Sequence, residues 1–272
     1  PLRVGVVSYL NTRPLVEALH RHLPDALVVV DLPSRLADQL AAGRLDVATI
    51  PSLEYARQPG YSILSDACVA CDGPVRSVQL LSRKPIEQIA VLALDDASRT
   101  SAALVRILLR ELYALQPQTT PLLIGAAPTD VSADAVLVIG DRGMLSPPPE
   151  FSYVWDLGDA WRRWTELPFV FSMWVARPGM ASRELAERLA AARDEGLKTL
   201  DTIARGAAQQ LGLPASDCLS YLRDNLRFRL GPKEQQALLL FYRLAARHGL
   251  VEKVPPLSIV LPGKRQAAPA AN

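Results

Sequence analysis

Histidine is scarce in this chain. His20, His22 and His248 are all it has in 272 residues, and each falls in a stretch with helical periodicity. Ligands of open α/β sheets bind at the loops beyond the strand ends, so these positions argue against a histidine base or a Ser-His-Asp triad. The phosphate-cradling patterns G-x-x-x-x-G-K-[ST] and G-x-G-x-x-G are both missing, so no nucleotide cofactor is indicated. No cluster of His, Cys, Asp and Glu suggests a metal. No apolar run reaches the roughly 18 residues of a membrane-spanning helix. Charge of one sign is not in excess either: 30 Lys and Arg are interspersed with 28 Asp and Glu, a net charge of +2 that supplies no nucleic-acid surface.

Cysteine is nearly as sparse, with three residues. Two form Cys68-Val-Ala-Cys71, but that spacing lies in a β-like run, where residues three apart face opposite ways. No second pair or nearby histidine completes a zinc site. Two half-buried strand cysteines are expected.

What the chain does have is a 49% hydrophobic content, enough to bury a large core in one or two domains of a soluble globular protein. Its first residues already read as a strand, with no basic segment and apolar stretch of the secretory kind, so a cytoplasmic protein is expected.

Strand-like and helix-like segments alternate from the start. Leu2 to Val7 is apolar and leads into Ser8-Tyr9-Leu10-Asn11-Thr12-Arg13-Pro14-Leu15, a strand end turning into a helix. Such a turn offers backbone N–H groups and the positive end of a helix dipole to an anion. Alternatively, Asn11 or Thr12 simply caps the helix, with Pro14 in its first turn. The continuous apolar run Ala26 to Val30 predicts a strand covered on both faces. A helix over Pro33 to Gly43 and a strand over Leu45 to Ile50 follow, ending at Pro51-Ser52-Leu53-Glu54-Tyr55. Glu54 is the one acidic side chain of this part placed to enter a cleft, as a base or merely as a helix-start carboxylate.

A second βα series begins near Ile89. Between its first strand and a helix over Thr100 to Tyr113 lies Asp95-Asp96-Ala97-Ser98-Arg99-Thr100-Ser101, where three hydroxyls and an arginine exceed what capping requires. A carboxylate site is expected there. Ala135 to Ile139 is a buried-strand pattern followed by Gly140-Asp141-Arg142, either one more loop approaching the ligand or a surface ion pair. Trp161 and Trp164 share a helical face and are read as packing. Helices are predicted over Arg183 to Ile203, Ala215 to Asn225 and Pro232 to Arg247, and Gly263 to Asn272 reads as a disordered tail.

Four segments in one order carry a resemblance: Ser8 to Leu15, Asp46 to Tyr55, Ser98 to Ser101, and Trp161 through Leu167-Pro168-Phe169-Val170-Phe171. Together they resemble the chorismate dehydratase family of the futalosine route to menaquinone, over most of residues 1 to 177. One departure is Glu166, where the family pattern has glycine. The resemblance implies an α/β, two-lobed type II periplasmic-binding-protein-like fold with the ligand cleft between lobes. Lobe 1 would comprise residues 1–80 and 173–272, and lobe 2 residues 81–172, with crossings near Val78 to Leu81 and Val170 to Val175. It implies loss of water from chorismate to give 3-[(1-carboxyvinyl)oxy]benzoate, without cofactor or metal. Asn11 would serve at the reacting region, with Ser8, Tyr9, Ser52, Ser77, Ser98, Arg99, Thr100, Ser101, Gly140 and Phe169 around the substrate, and Arg13, Arg76 or Arg99 meeting a carboxylate. Two alternatives stand beside it. One is the sister dihydroxynaphthoate-forming enzyme of the same pathway, which relies on a histidine with no counterpart here. The other is a non-catalytic solute-binding protein for a small anion, which an export signal ahead of Pro1 would favour.

Overall fold

The computed structural model describes residues 1–263. The expected tail lies outside them except for Gly263, whose N–H donates to Glu187 Oε1 at 3.1 Å. The chain opens with β1 (Arg3–Val7), the single-turn helices α1 (Arg13–Val16) and α2 (Leu19–His22), and β2 (Leu27–Asp31). It continues through α3 (Pro33–Ala41), β3 (Val47–Pro51), α4 (Ser52–Arg57) and β4 (Ser62–Cys71). A second sheet is then built from β5 (Val78–Ser82), β6 (Val91–Asp95), β7 (Gln118–Leu122), β8 (Ala135–Ile139) and β9 (Tyr153–Asp156). The helix α5 (Arg99–Tyr113) follows β6, and α6 (Leu157–Thr165) follows β9. The return passes through β10 (Phe169–Ala176), α7 (Arg183–Gly196), α8 (Leu200–Leu211), α9 (Ala215–Ser220) and a π-helical turn (Tyr221–Asn225). It finishes with β11 (Leu226–Arg229), α10 (Pro232–Arg247) and β12 (Ile259–Val260).

The first sheet runs β11-β4-β10-β3-β1-β2, with β12 also on β4, and the second runs β7-β6-β8-β5-β9. Two α/β lobes are thus present, and the chain leaves the first and returns to it. The passages differ from the expected crossings. All of β5 lies in the second sheet and all of β10 in the first, so the chain changes sheets at residues 72–77 and 157–168.

The Leu27 to Val30 run is corrected as well. A continuous apolar strand is covered on both faces where helices pack over it, but β2 is an edge strand, paired with β1 among the described residues and lying beyond the reach of α3. Leu27 and Val30 are 56% and 63% exposed, while α3 packs over β1 and β3 instead. Cys68 and Cys71, expected to be half-buried, are wholly buried because β4 is covered on both sides, by α7 and by the start of α6. Burial pushes both thiols up, which leaves them inert at neutral pH.

One buried apolar cluster takes residues from both lobes. Trp161 of α6 packs edge-on against Phe169 at 5.1 Å between centroids and against Trp164 at 5.9 Å, which makes the tryptophan pair packing. Glu166, the departure from the glycine pattern, ends α6 at φ 58°, a left-handed conformation that glycine adopts without strain. Among the described residues no helix is long and apolar enough to cross a membrane.

Candidate active site

A small cavity, partly open to solvent, lies between the lobes. The turn after β1 brings Tyr9 and Asn11 to it, and β10 contributes Phe171 and Ser172. Residues 72–77, the first passage between sheets, supply Val75 and Ser77. From the second lobe come Ser98 and Ser101 at the start of α5 and Gly140 at the end of β8. Of the residues expected from sequence, Tyr9, Asn11, Ser77, Ser98, Ser101 and Gly140 therefore meet at one place.

Neither Asn11 nor Thr12 caps α1 through its side chain. The Thr12 hydroxyl donates to Asn11 Oδ1 at 3.0 Å, which leaves the Asn11 NH₂ as a donor beside the cavity. Ser98 is the true cap of α5: its Oγ accepts the Ser101 N–H at 3.3 Å and donates to Ser101 Oγ at 2.9 Å. Among the described residues the Ser101 hydroxyl proton has no acceptor, and it lies at the positive end of a 15-residue helix.

The remaining expected residues lie outside the cavity, and each has an identifiable occupation. Thr100 turns toward the first lobe and accepts the Leu53 N–H at 3.0 Å. Ser52 donates to the Val170 carbonyl at 2.7 Å. Ser8 is exposed, its N–H donating to the Asp31 carbonyl, and Phe169 belongs to the aromatic core. Arg99 bonds Glu54 at 3.1 Å and Asp38 at 2.8 Å. Glu54 in turn accepts Arg57 at 2.8 Å, so it is a buried ion-pair partner and not a base in the cleft. Arg13 reaches Gln210, and Arg76 reaches Ser220. Among the described residues, none of those lining the cavity carries a formal charge.

Asp141 and Arg142 do not form the surface pair considered above. Asp141 accepts the Leu10 N–H across the cleft at 2.9 Å, and Arg142 pairs with the buried carboxylate of Asp95. Burial pushes the Asp141 carboxyl above the usual aspartate range against the opposing pull of that N–H. Gly140, at φ 65°, meets the face of Tyr9, and a Cβ there would lie 2.9 Å from the ring. Burial, with Asp95 next, raises the Tyr9 phenol, so it remains a neutral donor. The contacts Thr100–Leu53, Arg99–Glu54, Asp141–Leu10 and Ser34 N–H to the Ala97 carbonyl at 3.2 Å hold the lobes together around the cavity.

Two residues went unnoticed in the sequence. Ser172 Oγ is buried at the cavity without a partner among the described residues. Its signal was there, as the lone polar side chain in Phe-Val-Phe-Ser-Met-Trp-Val. Tyr221, whose hydroxyl reaches Ser77, sits in an ordinary-looking helical stretch and gave none.

Two α/β lobes joined by two passages of chain, with a cavity between them that offers neutral donors, define a two-lobed periplasmic-binding-protein-like fold. Solved structures of the same architecture agree. The alkanesulfonate-binding protein SsuA from Xanthomonas axonopodis, bound to MOPS, matches with a TM-score of 0.70 at 16% identity, over 96% of this chain and 98% of that one. A protein of Archaeoglobus fulgidus matches with a TM-score of 0.70 at 18% identity, over 92% and 98%. The chain belongs to the menaquinone biosynthesis family, whose model matches residues 2–247. A chorismate dehydratase of Thermus thermophilus is 30% identical over 264 residues, covering 89% of this chain and 94% of that protein. A second, from Campylobacter jejuni, is 24% identical over 88% of this chain and 95% of its own.

Proposed function

We propose that this protein is a chorismate dehydratase of menaquinone biosynthesis, a lyase that removes water from chorismate to give 3-[(1-carboxyvinyl)oxy]benzoate. The observation that carries the reading is the near full-length likeness to the Thermus enzyme. The cavity supports it: a dianionic substrate meets the N-terminus of α5 and neutral donors from Asn11, Ser77, Ser101 and Ser172.

The reaction removes the C4 hydroxyl and the C3 proton and leaves an aromatic ring. Aromatisation supplies much of the driving force, so the enzyme's work is to hold an eliminating conformation and stabilise developing charge. Among the described residues, none that lines the cavity is a carboxylate, histidine or lysine. The substrate's own enolpyruvyl carboxylate takes the C3 proton in this reading, and Asn11 hydrogen-bonds the reacting region. Ser77 and Ser101 hold carboxylates; Thr100, first expected with them, is committed to Leu53. The sister enzyme would need a cavity histidine, whereas His20 and His22 lie on α2 and His248 follows α10. With the reading go a cytoplasmic location and chorismate as the partner, with no nucleic acid.

The test is to incubate purified protein with chorismate, without added nucleotide or metal, and to follow the product by chromatography and mass. Loss of one water with appearance of the enolpyruvyl benzoate supports the reading, and unchanged chorismate rejects it. Asn11→Ala is expected to abolish turnover with the melting temperature preserved.

A further inference from the structure

The passage at residues 72–77 carries Ser77 into the cavity and is gripped from two sides. On one side, the Asp156 carboxylate accepts the Val75 N–H at 3.0 Å and the Arg76 N–H at 2.7 Å. On the other side stands the segment 220–225, most of which is the π-helical turn. Ser220 Oγ accepts Arg76 at 3.1 Å, Asn225 Nδ2 donates to the Pro74 carbonyl at 2.9 Å, and the Tyr221 hydroxyl donates to Ser77 Oγ at 2.7 Å. Arg76 itself sits at φ 62°, a conformation that persists only where neighbours impose it.

The third of these grips differs from the others. Asn225 holds a backbone carbonyl, as a purely structural clip does, whereas Tyr221 spends its proton on a side-chain hydroxyl that lines the cavity. Tyr221 is 1% exposed, so its ring cannot swing away from that bond. A hydroxyl that accepts one hydrogen bond directs its own proton elsewhere, and the Ser77 proton has no acceptor among the described residues. π-helical turns recur at functional sites.

We propose that Tyr221 is a positioning residue of the dehydration: its phenol holds Ser77 Oγ as an acceptor so that the Ser77 proton is presented to a substrate carboxylate. The inference rests on the chorismate reading above. Burial raises the phenol far above its ordinary value, so it stays a donor throughout the working pH range.

The test compares wild type, Tyr221→Phe, Ser77→Ala, the double variant and Asn225→Ala for melting temperature, kcat and KM on chorismate. Tyr221→Phe is expected to lower kcat/KM about tenfold or more, as loss of a hydrogen bond that serves a charged group does. The double variant is expected to be no worse than Ser77→Ala alone, because Tyr221 acts through Ser77. Asn225→Ala is expected to lower the melting temperature while leaving kcat/KM within about twofold, since it loses a clip of comparable strength with no cavity group on it. Tyr221→Phe within twofold of wild type, or losses that multiply in the double variant, overturns the inference while the dehydratase stands. A wild-type protein that leaves chorismate unchanged overturns the functional reading and this inference with it.

Discussion

Arg99 of the second lobe reaches across the cleft to Glu54 of the first, Nη1 to Oε2 at 3.1 Å, while its Nη2 lies 2.8 Å from Asp38. A guanidinium between two carboxylates has little left for a substrate carboxylate, and its place outside the cavity makes it a latch between lobes. A part-exposed ion pair contributes about 1 kcal/mol, which weights the closed form by roughly fivefold. Arg99→Gln is therefore expected to raise KM for chorismate about fivefold and leave kcat within about twofold. Steady-state kinetics decide, because loss of a direct carboxylate ligand would weaken kcat/KM by about a hundredfold or more.

Ser172 presents the opposite balance between stability and binding. Its buried Oγ has no partner among the described residues and faces the ligand space. Ser172→Ala is expected to stabilise the ligand-free protein by about 1 kcal/mol, by removing an unsatisfied polar atom. The same change is expected to raise KM about tenfold, through loss of the hydrogen bond to substrate. Thermal melting without ligand and kinetics with chorismate measure the two effects separately.

Asp141 gives the protein a pH dependence whose sign can be worked out. Its folded-state pKa is raised by burial, so the charged carboxylate is held less well in the folded protein than in the unfolded chain. The resulting destabilisation is full above the folded-state pKa. It fades as pH falls through that value and is gone below about pH 4, where the unfolded aspartate is protonated as well. Asp141→Asn keeps an oxygen to accept the Leu10 N–H and removes the charge. Its melting temperature is expected to exceed wild type at pH 7, with the gap closing by about pH 4; a gap of equal size at both pH values would reject the assignment.

Glu166 occupies a left-handed backbone position at the end of α6, where its N–H donates to the Arg162 carbonyl at 2.9 Å. A non-glycine residue there costs about 1 kcal/mol. Glu166→Gly is expected to recover that amount, raising the melting temperature by about 3 °C for a protein of this size, with kcat unchanged. Calorimetry of the two proteins measures it.

Much of the architecture was legible in the sequence because it rests on local periodicity. The alternation of strand-like and helix-like segments pointed to an α/β lobe, and in the structure β1 pairs in parallel with both β2 and β3. Helical spacing from a proline start fixed α10 at Pro232 to Arg247, and the hydroxyl cluster at Ser98 marked the start of α5. Where the sequence reading went astray, the missing information was which surfaces meet. The Leu27 to Val30 run looks the same at a sheet edge as at its centre, since strand formation depends on the strand's own residues while coverage depends on neighbours far along the chain.

The site divides along the same line. Residues in the loops just beyond a strand, such as Asn11 and Gly140, were legible because the end of a strand is where an α/β sheet presents its loops. Helical rotation separated Ser101 from Thr100, turning one to the cavity and the other to Leu53, and only the packing of α5 against α4 decided which was which. Arg99, an anion ligand by its place among three hydroxyls, is occupied by Glu54 and Asp38, both distant in sequence. Ser77 and Tyr221 are 144 residues apart, and nothing in either stretch announces their hydrogen bond. The sequence by itself determined most of the elements up to β10 and the loops nearest the ligand, because these follow from backbone propensity and short-range pattern; it ran α7 and the start of α8 together as one helix, Arg183 to Ile203, and did not mark β7, β11 or β12. Tertiary structure alone decided which hydroxyls and charges remain free for a substrate, because a side chain's availability is set by the partners that folding brings beside it.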